Sequence, residues 1–160
     1  MKWIVKILAV VFLTVAAFSC GSTRQLTVDQ QYQLKEAIGN RDFKVDVNRA
    51  YPLSGRSINL TSPYALTVKG DSIKSYLPYF GRAYSIPYGG GEGLNFEGKI
   101  NNYTVESGKK NATVITMDIT SSDDRINYVV QIYPNGVASI YVTPQNRQAI
   151  SFDGEVDLKD

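Results

Sequence analysis

The chain contains no histidine. That absence removes the usual general base near neutral pH and the commonest metal ligand, which argues against zinc, haem and Ser-His-Asp chemistry alike. Cysteine occurs once, at Cys20, so no internal disulfide can form. Charge is nearly balanced, with 17 Lys and Arg against 15 Asp and Glu. No basic run is longer than Lys109-Lys110, so the footprint of a nucleic-acid binder is missing and no nucleic acid is expected as a partner. Proline-rich linkers, internal repeats and low-complexity tracts are absent as well. One domain is the expected organisation.

The longest apolar run, Ile7 to Phe18, follows Lys2 and Lys6 and ends in Ala17-Phe18-Ser19-Cys20-Gly21. A membrane-spanning helix needs roughly 20 apolar residues, so this shorter run reads as a secretory leader with small residues around its cut. The sole cysteine stands at that cut. An unpaired thiol would be a liability in an oxidising envelope, so a covalent role for Cys20 is the economical reading. The arrangement resembles a bacterial lipoprotein signal: residues 1–19 would be removed and Cys20 would carry a lipid into the membrane. Losing Lys2 and Lys6 leaves 15 basic side chains against 15 acidic ones. Residues 20–26 are then a tether and 27–160 a single domain.

One helix is expected near the mature N-terminus. Thr27 can cap it with Gln30, Gly39 can end it, and Val28, Tyr32, Leu34 and Ile38 share an arc of about 160° that should pack on the core. Beyond it the apolar period changes to two. Phe43, Val45 and Val47 alternate with polar neighbours, as do Tyr64, Leu66 and Val68, and Gly70-Asp71 suggests a tight hairpin into Ser72–Tyr76. Further strands fit Leu94–Asn101, Tyr103–Ser107, Ala112–Thr120, Ile126–Tyr133, Val137–Thr143 and Ala149–Val156, with Pro134-Asn135-Gly136 as the clearest turn. Connections this short force antiparallel pairing. The expectation is a mainly β domain of about eight to ten strands closed into a barrel, which removes the exposed edges of an open meander. A two-sheet sandwich is the alternative that the pattern leaves open.

YLPYFGRAY at Tyr76–Tyr84, GLNFEG at Gly93–Gly98, Asn135-Gly136 followed by Ala138, and ISFDGEV at Ile150–Val156 together resemble a family of Bacteroidetes lipoproteins built on a domain of unknown function. The likeness covers nearly the whole mature chain and implies a lipocalin-like β-barrel. It implies no activity and no cofactor. Gly21-Ser22-Thr23-Arg24 lacks the acidic cluster that resembles a surface-export signal of such lipoproteins, so the expected location is the cell envelope, on the outer membrane facing the periplasm.

Catalytic patterns are few. Ser107-Gly108-Lys109-Lys110 has S-x-x-K spacing, but such a serine belongs at a helix start in a cleft, and these residues read as a solvated turn. Ser121-Ser122-Asp123-Asp124 lacks the regular oxygen spacing of a calcium loop and reads as a polar turn. No metal site is expected. Glu92, Glu97, Asp118 and Asp153 could in principle supply a paired-carboxylate hydrolysis of a glycan, although nothing in their spacing demands it. Asp71-Ser72-Ile73 is similar to the O-glycosylation site of Bacteroidetes envelope proteins, which makes Ser72 a modification candidate at a turn. The three N-linked sequons, at Asn59, Asn102 and Asn111, carry little weight in a bacterial chain.

Between Tyr76 and Tyr88 the sequence then packs five aromatics, Tyr76, Tyr79, Phe80, Tyr84 and Tyr88, before Gly89-Gly90-Gly91-Glu92-Gly93. Pro78 and Pro87 bar regular pairing, so Leu77–Gly93 reads as a connection longer than the roughly 12–15 residues a compact fold tolerates without a purpose. Tyr79 and Phe80 could fold back to cap the barrel. Alternatively, Tyr76, Tyr79, Arg82, Tyr84, Tyr88 and Glu92 form a platform for a glycan, peptide or protein, Tyr and Arg being the types that dominate binding hot spots. The expected function is therefore a lipid-anchored, non-enzymatic binding or scaffolding module. A carboxylate-dependent hydrolase and a purely structural assembly partner are the alternatives.

Overall fold

The computed structural model describes residues 25–84, 93–121 and 124–158. The leader, Cys20, Tyr88 and Glu92 lie outside them. One helix, α1 (Val28–Gly39), precedes eight strands: β1 (Asp42–Pro52), β2 (Ile58–Lys69), β3 (Ser72–Leu77), β4 (Leu94–Ser107), β5 (Thr113–Thr120), β6 (Arg125–Ile132), β7 (Val137–Pro144) and β8 (Ile150–Val156). Each pairs antiparallel with the next, and β8 pairs back onto β1 from Val45↔Val156 to Pro52↔Ile150, closing the barrel.

Alternation fills this barrel. On β6, Ile126, Tyr128, Val130 and Ile132 point inward, and on β7 Ala138, Ile140 and Val142 meet them. Val45, Leu66, Val68, Ile115, Met117, Tyr128, Val130, Ile140 and Phe152 are all 0 % exposed, so no water-sized space adjoins them. Eight strands enclose an interior just wide enough for side chains, and here side chains occupy it. A polar chain in the lumen is internally satisfied. Tyr128 donates to Ser75 Oγ at 3.0 Å, and Ser75 donates to the Leu94 carbonyl at 2.7 Å. Burial holds the Tyr128 phenol well above its ordinary pKa, and the Ser75 bond only partly offsets this.

Two bulges shape the wall. β4 was expected as two strands broken near Asn101-Asn102; it is one strand with a register shift between Ile100 and Asn102 against β5. β1 shifts between Val47 and Arg49 against both of its neighbours. A β-carbon on Gly154 would collide there with the Asp46 carbonyl, so the glycine of ISFDGEV is needed for close backbone approach.

The connections sort to two ends. At the lower end lie α1 and the turns at 70–71, 108–112 and 133–136; at the upper end lie residues 53–57, 78–84, 93, 121, 124 and 145–149. Helix α1 starts with a capping box between Thr27 and Gln30 and ends at Gly39, as expected. Its packing differs from the expected arc. Leu34 and Ile38 are buried, whereas Val28 and Tyr32 are 83 % and 69 % exposed. The C-terminal half of the helix alone reaches the core, where Tyr103 donates to the Ile38 carbonyl at 3.0 Å and Arg41 lies 4.6 Å from the Tyr103 ring centre.

Candidate functional site at the aromatic end

Strand β3 ends at Leu77 because Pro78 has no N–H to continue the ladder. The following residues cross the upper end and pair with the β7–β8 connection. Ala83 bridges Arg147, Tyr84 N donates to Asn146 O at 2.8 Å, and Gln148 N donates to Arg82 O at 3.0 Å. Arg82 N donates in turn to the Gln148 side chain at 3.2 Å. Residues 78–84 thus form a strap fixed by backbone hydrogen bonds.

Tyr79 pins the strap to the core. Its ring packs on the interior cluster, and its hydroxyl proton is shared between the carbonyls of Gln148, at 3.0 Å, and Arg82, at 3.1 Å. Burial raises the Tyr79 pKa, with the nearby Arg147 charge acting in the opposite direction. Beneath it, Arg147 is only 7 % exposed, its guanidinium 5.8 Å from the Tyr79 ring centre. Arg147 Nε stands 3.9 Å from Asp124 Oδ2 and has no hydrogen-bond partner. That separation makes the pair a charge contact rather than a hydrogen bond. The Asp124 carboxylate is held instead by the Gln145 and Asn146 N–H groups, each at 3.1 Å. Three upper loops are therefore locked together, and the charge of each buried ion is compensated.

Above this floor the aromatic surface is open. Tyr84 is 70 % exposed, and Leu53, Tyr76 and Phe80 are exposed large apolar side chains at the same end. Arg82 is exposed among them. The Tyr76 ring, on the outer face of β3, rests 5.3 Å from the Tyr64 ring at a 33° tilt. Of the sequence candidates, Tyr79 serves as a pin, whereas Phe80, expected to cap with it, is exposed. Tyr76, Arg82 and Tyr84 line the upper end. Ser72 lies at the opposite end, exposed at the start of β3, beside the Arg41–Asp71 ion pair. The described carboxylates are separately engaged: Glu97 by Lys74, Asp118 by Asn102 and Asn127, Asp153 by Tyr51 and Ser139. Among the described residues no cluster of three or more acidic or cysteine side chains could hold a metal.

Sequence reasoning missed Asp124, Arg147 and Gln148. Asp124 was read as part of a polar turn, and residues 144–148 carry no periodic signal that would mark Arg147 as buried.

A crystal structure of a DUF4251 family protein from Bacteroides eggerthii DSM 20697 has a similar fold, with a TM-score of 0.57 and 14 % identity over 80 % of this chain and 87 % of that one. A search of curated proteins returns no match. The profile of the domain of unknown function DUF4251 matches residues 25–156, which span the helix and all eight strands, and the chain belongs to that family.

Proposed function

We propose that this protein is a lipid-anchored, non-enzymatic binding or scaffolding module of the cell envelope, held by Cys20, whose contact surface is the aromatic upper end. The observation that carries this reading is the contrast between a filled interior and an open end. The lumen has no space for a ligand beside its side chains, while Tyr76, Phe80, Tyr84, Leu53 and Arg82 remain exposed over a strap that backbone bonds make rigid. A pre-organised aromatic surface loses little conformational entropy on binding, and its chemistry suits a glycan face or a peptide. The anchor is supported by the leader-like run before the sole cysteine. The separate engagement of Glu97, Asp118 and Asp153 gives no support to a paired-carboxylate hydrolase.

The filled barrel also favours a second reading, an assembly partner that binds another envelope protein and no small ligand. Trp3 is the only tryptophan and falls in the leader, so Tyr84→Trp gives the mature chain a single reporter. Titration with lipopolysaccharide-derived oligosaccharides, muropeptides and extended peptides should produce a saturable emission change with one class. A flat response to all three, with no stable complex in cross-linked envelopes, overturns the proposal.

A further inference from the structure

We infer that the exposed stripe of α1 formed by Val28 and Tyr32 lies against the phospholipid surface, as a second membrane contact beside the Cys20 lipid; this rests on the anchored reading above. The described chain enters at the lower end, where Leu26 is buried and packs within 3.4 Å of the position a β-carbon on Gly136 would take. Cys20 precedes Val28 by eight residues, which can span no more than about 29 Å when fully extended. A lipid on Cys20 therefore keeps α1 within one short tether of the bilayer, while the strap at 78–84 stands at the far end of the barrel.

The side of α1 turned toward the bilayer has the matching chemistry. Leu34 and Ile38 point into the barrel, whereas Val28 and Tyr32, one turn apart on the first turns that overhang the barrel end, stay exposed. Lys35 follows at the next turn of the same stripe and can reach toward headgroups. Tyrosine, with an apolar ring and a polar tip, is the side chain that favours the headgroup region. Asp29 and Glu36 flank the stripe and are exposed, so attraction to anionic lipid does not drive the contact; apolar burial at an uncharged interface does. The barrel then stands on α1 with its aromatic end presented away from the membrane.

The test couples the sole cysteine of the mature chain to a maleimide phospholipid in phosphatidylcholine vesicles, so that anchoring does not depend on natural processing. Tyr32→Trp emission should shift to the blue and fall about twofold when brominated lipid is included, unchanged by added salt, whereas Tyr84→Trp should keep its aqueous spectrum. Equal, unquenched emission from the two reporters overturns the membrane contact. The anchored reading is tested apart from it by the mass of Cys20 in protein recovered from cells: a diacylglyceryl adduct supports it, and a free or uncleaved cysteine overturns it.

Discussion

The ring of Tyr79 lies across Gly81: a β-carbon on Gly81 would stand 2.5 Å from the phenolic oxygen and 2.7 Å from the carbon that bears it. Tyr79 cannot swing aside without giving up the carbonyls of Gln148 and Arg82, so the glycine of the YLPYFG string is what lets the strap lock. Gly81→Ala should destabilise the barrel by about 1–3 kcal/mol through this overpacking. Tyr79→Phe, which removes only the hydroxyl, should cost about 1 kcal/mol. Urea denaturation of both variants checks the order; equal stability of Gly81→Ala and wild type would show that the ring does not need the space.

Inside the lumen, Ser75 should matter more than the larger Tyr128 hydroxyl it receives. Ser75→Ala strands the phenol in an apolar interior, at a cost of about 1–3 kcal/mol, whereas Tyr128→Phe leaves Ser75 bonded to Leu94 O and should cost about 0.5–1.5 kcal/mol. The double variant should lose less than the sum of the two. Additive losses in chemical denaturation would contradict the shared bond.

Asp124 holds two backbone N–H groups and compensates Arg147 in a site where neither side chain reaches water freely. Asp124→Ala should cost about 3–5 kcal/mol by leaving a buried charge uncompensated. It should also speed amide exchange at Asn146, whose N–H donates to the Asp124 carboxylate, whereas the Gln145 N–H also donates to Arg125 O. Protection that survives the substitution would remove Asp124 from the lock.

High pH should weaken the fold. Burial raises the pKa of Tyr128, and that of Tyr79 and Tyr103, above the value near 10 that phenols have in the unfolded chain. The folded state therefore keeps protons that the unfolded state loses, and stability, complete below about pH 10, should fall as pH climbs above it. Urea midpoints taken from about pH 8 to about pH 11 should decline, less steeply in Tyr128→Phe. A midpoint that stays level would contradict the burial.

Much of the barrel was legible because its strands bury one face only, and burial on one face writes itself as period two. Bulges hide from that reading: at Asn101-Asn102 the phase slips by one residue, which looks like the end of a strand. Helix α1 misled for a different reason. Its apolar residues share an arc, but the helix closes the end of a barrel, so its first turns overhang and Val28 and Tyr32 find no core. The exposed part of the site, with its clustered aromatics and prolines, was visible in the sequence. Its floor was not, since Asp124 and Arg147 sit in polar runs and meet only because two connections reach the same end of the barrel.

The aromatic end as the contact surface is tested most directly by backbone NMR shift mapping of the mature domain. Lipopolysaccharide-derived oligosaccharides, muropeptides and extended peptides would each be added in turn. Shifts should cluster at Leu53, at residues 76–84 and at residues 145–148 with one of these classes, and Phe80→Ser with Tyr84→Ser should abolish them. Shifts confined to the wall around Asn102, Asp118 and Asn127, or none with any class, would contradict that assignment.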